Sequence, residues 1–281
     1  MPPVAFHKGE YVPLEQASVG VMTHAFHYGT AVFEGIRGNW NAEQERTYIF
    51  RLREHYERLL RGCKLMHMAL PYSAEDLSDI TVEMVERCAY QEDIYIRPIA
   101  YKSTERVATL NLHTLEDGFT VFAIPFGAYL DLEAAAHCCI SSWRRMEDTM
   151  MPPSMKISGA YVNSILAKSE AVAAGFDEAI LLNQAGYVCE GTGENLFVLR
   201  GGKLDDPEVD GVLALAQEVK APVNLNKYVG ALGIDEYASD LESIFRDERF
   251  GGYVIYELQG LVRPAPDGSR LVPMENKMER I

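Results

Sequence analysis

Apolar residues recur at helical spacing in two stretches of the first half of the chain. Leu52, Tyr56, Leu59, Leu60 and Cys63 line one side of residues 51–63, which predicts an amphipathic helix. Leu77, Ile80, Met84, Val85 and Cys88 repeat the pattern, and Ser73 with Asp76 supplies a capping box at the start. Strand-like runs lie at 47–50, 94–101 and 119–125. In IYIRPIAY the period of two puts Tyr95, Arg97, Ile99 and Tyr101 on one face, and Ile94, Ile96, Pro98 and Ala100 on the other. The mixture predicts an α+β domain.

The periodicity fades around 126–134 and then restarts, which predicts a first domain over 1–126, a linker over 127–133 and a second domain over 134–281. In the second domain, 139–143 and 178–182 read as strands. A helix over 161–174 is closed by Gly175. Residues 183–186 and 200–203 read as turns, and 187–190 with 195–199 as a β-hairpin or meander. Farther on, Val212, Leu213, Leu215 and Val219 line a helix, 252–258 alternates as a strand, and VRPAPDGSRLV resembles a closing hairpin.

The 281 residues, 48% hydrophobic and 24% charged, suit two ordinary domains and exclude a disordered chain. A net charge of -15 disfavours nucleic acid and anionic membranes as partners. It leaves room for an anionic cofactor, because a phosphate is held by local geometry. No apolar run reaches the length of a membrane span and the first twenty residues lack a signal-peptide core, so a cytoplasmic location is expected. The five cysteines form no CxxC and are odd in number, which predicts reduced thiols, with Cys63 and Cys88 as small core residues. His24 and His27 lack a supporting carboxylate or cysteine and read as structural, so no metal is expected.

Candidate chemistry centres on SMKISGAY (154–161), where Lys156 stands five residues before Tyr161 at the mouth of the predicted helix. A lysine flanked by small residues, with a tyrosine and a glutamate to hand, suits Schiff-base chemistry with pyridoxal phosphate. Taken singly it reads more readily as an ordinary solvated loop lysine. Glu190 leads into Gly191, Thr192 and Gly193, small residues that let a ring or phosphate approach the backbone, or that form a plain turn. Arg51, between a strand and a helix, reads either as a phosphate fork or as a surface arginine paired with Glu54 or Glu57. Tyr95 and Arg97 side by side suggest recognition of a carboxylate, or a solvated sheet face.

Together, HYGTAVFEGIRG (27–38), IFRLREHYERL (49–59), YIRPI (95–99), SMKISGAY and CEGTGENLF (189–197) resemble the branched-chain amino-acid aminotransferases, in the order and spacing of that family. The resemblance implies the two-domain fold-type IV architecture of the D-amino-acid-aminotransferase type. That architecture has a smaller N-terminal α+β domain and a larger, β-rich C-terminal domain holding pyridoxal 5'-phosphate. It implies Lys156 as the catalytic Schiff-base lysine, Tyr161 at the cofactor's phenolic oxygen and Glu190 at its pyridine nitrogen. Arg51 matches the phosphate ligand, and Thr192 and Asn195 belong to the same cofactor-binding motif as Glu190. Tyr95 and Arg97 match residues around substrate carboxylates, and Tyr28, Phe33, Gly35, Phe126 and Tyr129 the pocket wall. Tyr28 in this family is lent across a dimer interface, so a homodimer is implied.

The implied activity is transamination of leucine, isoleucine and valine with 2-oxoglutarate, the partners being small amino acids and 2-oxo acids. After Lys203 the resemblance stops: the family's phosphate-binding and carboxylate-binding turns are not legible in the remaining sequence. That departure keeps two other expectations open. One is a different fold-type IV enzyme, such as a D-amino-acid or amine transaminase or an aminodeoxychorismate lyase; the other is a catalytically impaired homologue.

Overall fold

The computed structural model describes residues 3–126, 136–200, 203–205, 254–256, 262–264 and 271–273. The linker expected at 127–133, Tyr129, the glycine-rich turn after Arg200 and the helix expected around Val212 fall at least partly outside the described residues. The chain divides into two compact units, one of Met1–Gly127 with Pro153–Tyr161, the other of Ala128–Pro152 with Val162–Ile281.

The first unit runs β1 (Val4–His7), β2 (Glu10–Pro13), α1 (His24–Tyr28), β3 (Ala31–Phe33), β4 (Ile36–Asn41), β5 (Arg46–Ile49), α2 (Leu52–Leu65), α3 (Ala74–Cys88), β6 (Ile94–Lys102) and β7 (Asp117–Pro125). These strands form one seven-stranded sheet in the order β2-β1-β7-β6-β4-β5, with β3 also paired to β6. All its pairings are antiparallel. Both helices carry the predicted apolar stripe inward: Tyr56, Leu59 and Cys63 of α2 and Leu77, Met84 and Cys88 of α3 are buried. They pack on each other, α2 also against β3 and α3 against β1 and β7. On β6 the alternation holds, with Ile94, Ile96, Pro98 and Ala100 buried and Tyr95, Arg97 and Ile99 on the half-open face.

The second unit begins with β8 (Cys138–Arg144), and continues through α4 (Tyr161–Ala173), β9 (Glu178–Leu182) and β10 (Val188–Glu190). β8 and β9 are parallel, and β10 pairs antiparallel to β9. A core of Cys139, Ala167, Ala171, Ala179 and Leu181, flanked by Phe176, lets the helix lie close to the sheet because its inward residues are small. Gly175 ends α4 at φ 84°, with Phe176 N–H donating back to the Ala171 carbonyl. Beyond lie β11 (Leu196–Arg200), β12 (Lys203–Asp205), β13 (Val254–Tyr256), β14 (Val262–Pro264) and β15 (Leu271–Pro273).

Two expectations are corrected here. The expected hairpin of 187–190 with 195–199 does not form: β10 returns on β9, whereas β11 pairs with β12 and β13. The bend at 191–195 turns the chain out of one ladder and into another. The expected second domain also loses its contiguity, because 153–161 joins the first unit. There Ile157 bridges to Val32, and Gly159 N–H donates to the Gly29 carbonyl at 3.1 Å. The closing hairpin expected late in the chain is present as the antiparallel pair β14 and β15.

The capping box at α3 is complete: Ser73 accepts from Asp76 N–H, and the Asp76 carboxylate accepts from Ser73 N–H. Ser73→Ala is predicted to cost about 1 kcal/mol, read as a lower urea midpoint with an unchanged slope.

Candidate active site

Lys156 enters the first unit as a neighbour of β3. Phe33 N–H donates to the Lys156 carbonyl at 3.0 Å, and the Val32–Ile157 bridge extends the contact by one residue. A single 3-10 turn, Ser158–Ala160, then leads into Tyr161, the first residue of α4. Five residues along this path bring the lysine amine to 3.1 Å from the Tyr161 hydroxyl, to which it donates. The crossing is tight at Gly29, whose φ of 65° is left-handed and whose missing Cβ would stand 2.6 Å from the Gly159 Cα.

A chain of contacts runs outward from this pair. The Tyr161 and Phe33 rings are 4.7 Å apart, and the Arg97 guanidinium lies 4.2 Å from the Phe33 ring centroid. Arg97 donates to the Tyr95 hydroxyl at 2.7 Å, and Tyr95 stacks toward Phe126 at 5.1 Å. Gly35 faces Tyr95 so closely that a Cβ there would overlap the phenol oxygen. Burial pushes the Tyr95 hydroxyl above its ordinary pKa, and the Arg97 charge offsets part of that rise. Neither Lys156 nor Arg97 has a carboxylate partner among the described residues.

Within the first unit, Arg51 and Tyr28 make their own separate contacts. Arg51, at φ 50° before α2, is exposed and pairs with Glu54 at 2.9 Å, the alternative that its sequence context left open. Tyr28 is partly exposed, its hydroxyl accepting from Ala108 N–H at 2.9 Å. His24 is buried with both ring nitrogens engaged, by Thr30 Oγ1 and the Thr109 carbonyl. No group of three or more histidine, cysteine or acidic residues among those described is arranged to hold a metal.

In the second unit Glu190 ends β10 and forms an ion pair with Arg145, which also donates to Ser164 Oγ at 2.9 Å. Thr192 is buried and donates to Glu178 Oε1 at 2.7 Å, while Asn195 is exposed. Glu178, itself buried, also accepts from Ala179 N–H at 2.7 Å and Lys168 Nζ at 2.6 Å. The turn carrying Thr192 is thus pinned to β9. Burial, reinforced by the Glu178 charge, raises the Glu194 carboxyl above its ordinary pKa.

The amino-transferase class IV family model matches residues 31–214. The chain belongs to the class IV aminotransferases. A probable branched-chain-amino-acid aminotransferase of Aquifex aeolicus is 49% identical over 204 residues, which are 72% of this chain and 65% of that relative, so the chain spans just under two thirds of its length. The crystal structure of the branched-chain aminotransferase of Thermoproteus uzoniensis with norvaline aligns with TM-score 0.70 and 35% identity, covering 99% of this chain and 89% of that one. The branched-chain amino acid aminotransferase of Thermobaculum terrenum in its PLP form aligns with TM-score 0.69 and 34% identity, covering 78% of this chain and 74% of that one.

For a class IV aminotransferase, sequence reasoning missed four functional candidates. Arg145 gave no signal before its pairing with Glu190 was seen. Gly29 and Gly159 stand within the expected motifs, yet their crossing is invisible in one dimension. Glu34 is fully buried between the two wall residues Phe33 and Gly35. Arg58 Nε donates to Glu34 Oε1 at 2.5 Å, and Arg58 Nη2 and His55 Nδ1 reach Oε2 at 2.7 and 3.0 Å. Burial raises this carboxyl's pKa, but the Arg58 and His55 hydrogen bonds and charges outweigh it and hold the pKa below the ordinary value.

Gly29→Ala is predicted to lower stability by about 2 kcal/mol, through the left-handed φ and the overlap with Gly159. Gly159→Ala, whose added Cβ meets only ordinary contacts from 3.4 Å outward, is predicted to cost less. Urea midpoints of the two variants check the order.

Proposed function

We propose that the chain is a pyridoxal 5'-phosphate-dependent aminotransferase that exchanges the amino group between branched-chain L-amino acids and 2-oxoglutarate. One observation carries the reading: a lysine amine bonded to a phenol, beside an arginine held between aromatic rings, with no carboxylate neutralising either cation among the described residues. Such a donor set fits a cofactor that takes up an amine together with a substrate that brings a carboxylate. The relatives' names, and the PLP form and norvaline ligand of the aligned structures, support the same chemistry.

Pyridoxal phosphate, when bound, supplies an aldehyde that accepts the amine and a ring that delocalises charge from the substrate Cα. Lys156 would hold the cofactor through its amine, and that amine would carry the proton at the substrate Cα. Tyr161 orients that amine by accepting its hydrogen bond. Arg97 and Tyr95 receive a carboxylate, and Phe33, Gly35 and Phe126 wall the aliphatic side chain. In its own unit Glu190, ion-paired with Arg145, would serve the ring nitrogen. Arg51 would serve the phosphate, since its exposed Glu54 pair contributes only about 0 to 1 kcal/mol.

A homodimer belongs to this proposal. Val21, Phe26 and Leu110 are 77%, 73% and 84% exposed, on two segments tied together by the His24–Thr109 and Tyr28–Ala108 hydrogen bonds. Apolar side chains so exposed on linked segments suit a protein partner, here a second copy bringing its own Tyr28 region. The cytoplasm is the proposed compartment, supported by five free cysteines and by the absence, among the described residues, of any helix long and apolar enough to cross a membrane.

L-Leucine with 2-oxoglutarate is expected to yield glutamate and 4-methyl-2-oxopentanoate in the cofactor-loaded protein. Lys156→Ala is expected to lower the rate by at least about a thousandfold. Turnover of D-alanine but not L-leucine in a coupled glutamate assay would replace the substrate assignment, and turnover of neither would refute the reading. Sedimentation is expected to give a dimer for the wild-type chain and a monomer for Phe26→Glu combined with Leu110→Glu.

A further inference from the structure

Glu34 is a buried carboxylate to which the reaction gives no task. Its side chain is fully enclosed and bound by Arg58 and His55, which lie one helical turn apart on α2. Its backbone stands at a junction. Glu34 N–H donates to the Pro98 carbonyl at 3.1 Å, next to Arg97, while the preceding Phe33 N–H donates to the Lys156 carbonyl. The Phe33 ring lies between Tyr161 and the Arg97 guanidinium. Two successive backbone amides therefore hold the lysine segment and the arginine strand, and the side chain of the second is fastened to a helix.

We infer that Glu34 is a positioning residue, whose ion pairs with Arg58 and His55 fix Phe33 and, through the adjacent amides, the separation of Lys156 from Arg97. A buried charge is a costly way to gain stability alone, since apolar residues of similar volume do as well. A bidentate guanidinium with a third donor fixes the carboxylate's direction as well as its place, which dispersion contacts do not. The residues flanking Glu34 are the ones that wall the pocket, so a loose Glu34 leaves the wall loose. The two basic groups, without a carboxylate partner among the described residues, would meet one substrate through different groups. Their spacing matters for where Cα stands beside the lysine amine.

The inference rests on the aminotransferase reading for its kinetic consequences, whereas its structural half stands independently. The test compares wild-type protein with Glu34→Gln, which keeps the shape and removes the charge, and with Arg58→Lys, which keeps the charge and removes the fork. Amide hydrogen exchange is read at Phe33 and Glu34, with Ile96 of β6 as an internal reference for global opening. Exchange at Phe33 and Glu34 is expected to quicken by about tenfold or more in Glu34→Gln relative to Ile96. In cofactor-loaded protein, 4-methylpentanoate, which resembles leucine without its amine, is expected to bind about tenfold more weakly. The kcat for L-leucine is expected to fall by a similar factor, with cofactor still bound. Arg58→Lys is expected to show about half of each effect on a logarithmic scale.

Unchanged local exchange relative to Ile96 overturns the inference, as do binding and kcat within about twofold of wild type whatever happens to the melting temperature. Should Glu34→Gln fail to fold, Arg58→Lys decides by the same readouts. A wild-type protein that neither transaminates nor binds 4-methylpentanoate refutes the functional reading, and the exchange pattern still decides the positioning.

Discussion

The lysine reaches its place by backbone pairing with a strand more than a hundred residues earlier in the sequence. One edge of β3 is laddered to β6, from Ala31 opposite Tyr101 to Phe33 opposite Ile99. It also pairs with the segment at 156–157, through the Phe33 amide and the Val32–Ile157 bridge. β3 thereby sits between the strand of Arg97 and the residues around Lys156, and transmits the geometry of one to the other. The Gly29 and Gly159 crossing permits this, because a side chain at Gly29 would collide with backbone that cannot rotate aside. Bringing contacts of such sequence separation together costs loop-closure entropy.

Charge follows the same division of labour. Basic side chains that support the scaffold of the first unit are neutralised: Arg37 by Asp93, Arg58 by Glu34 and Lys102 by Asp117. Lys156 and Arg97 are left with a phenol each among the described residues. In a chain of net charge -15, two partly buried cations without carboxylates are a specific arrangement. A protein carboxylate in the same place would compete with any incoming anion for them.

The periodic elements were legible because burial on one face forces a repeat. The α2 and α3 stripes, the alternation on β6 and the Gly175 stop of α4 all appear where the pattern predicts them. Pairing partners were less legible: nothing local in 187–199 states that β10 returns on β9 while β11 leaves for β12. Short elements such as α1 and β3 carry too few residues to show a period. At the site, Lys156, Tyr161, Phe33, Tyr95, Arg97 and Phe126 were named from motif and then found in one connected set. Glu34 lay in the same motif but nothing in the sequence singled it out. Only the positions of His55 and Arg58 in space show that its charge is answered.

Each unit contains an enclosed carboxylate with several donors, and the parallel clarifies what such groups do. Glu178 takes Thr192, Ala179 and Lys168, and so anchors the bend after Glu190 to β9. Glu34 takes Arg58 and His55, and so anchors the pocket wall to α2. In neither case does the carboxylate stand free to accept a proton from a ligand, because its oxygens are already occupied by protein donors. The desolvation cost of burying each anion is offset by fixed direction at a place where an irregular segment must hold one conformation. Regular ladders supply that direction elsewhere in the fold. At the bends after Phe33 and after Glu190 there is no ladder to supply it, and a buried charge with three donors takes its place.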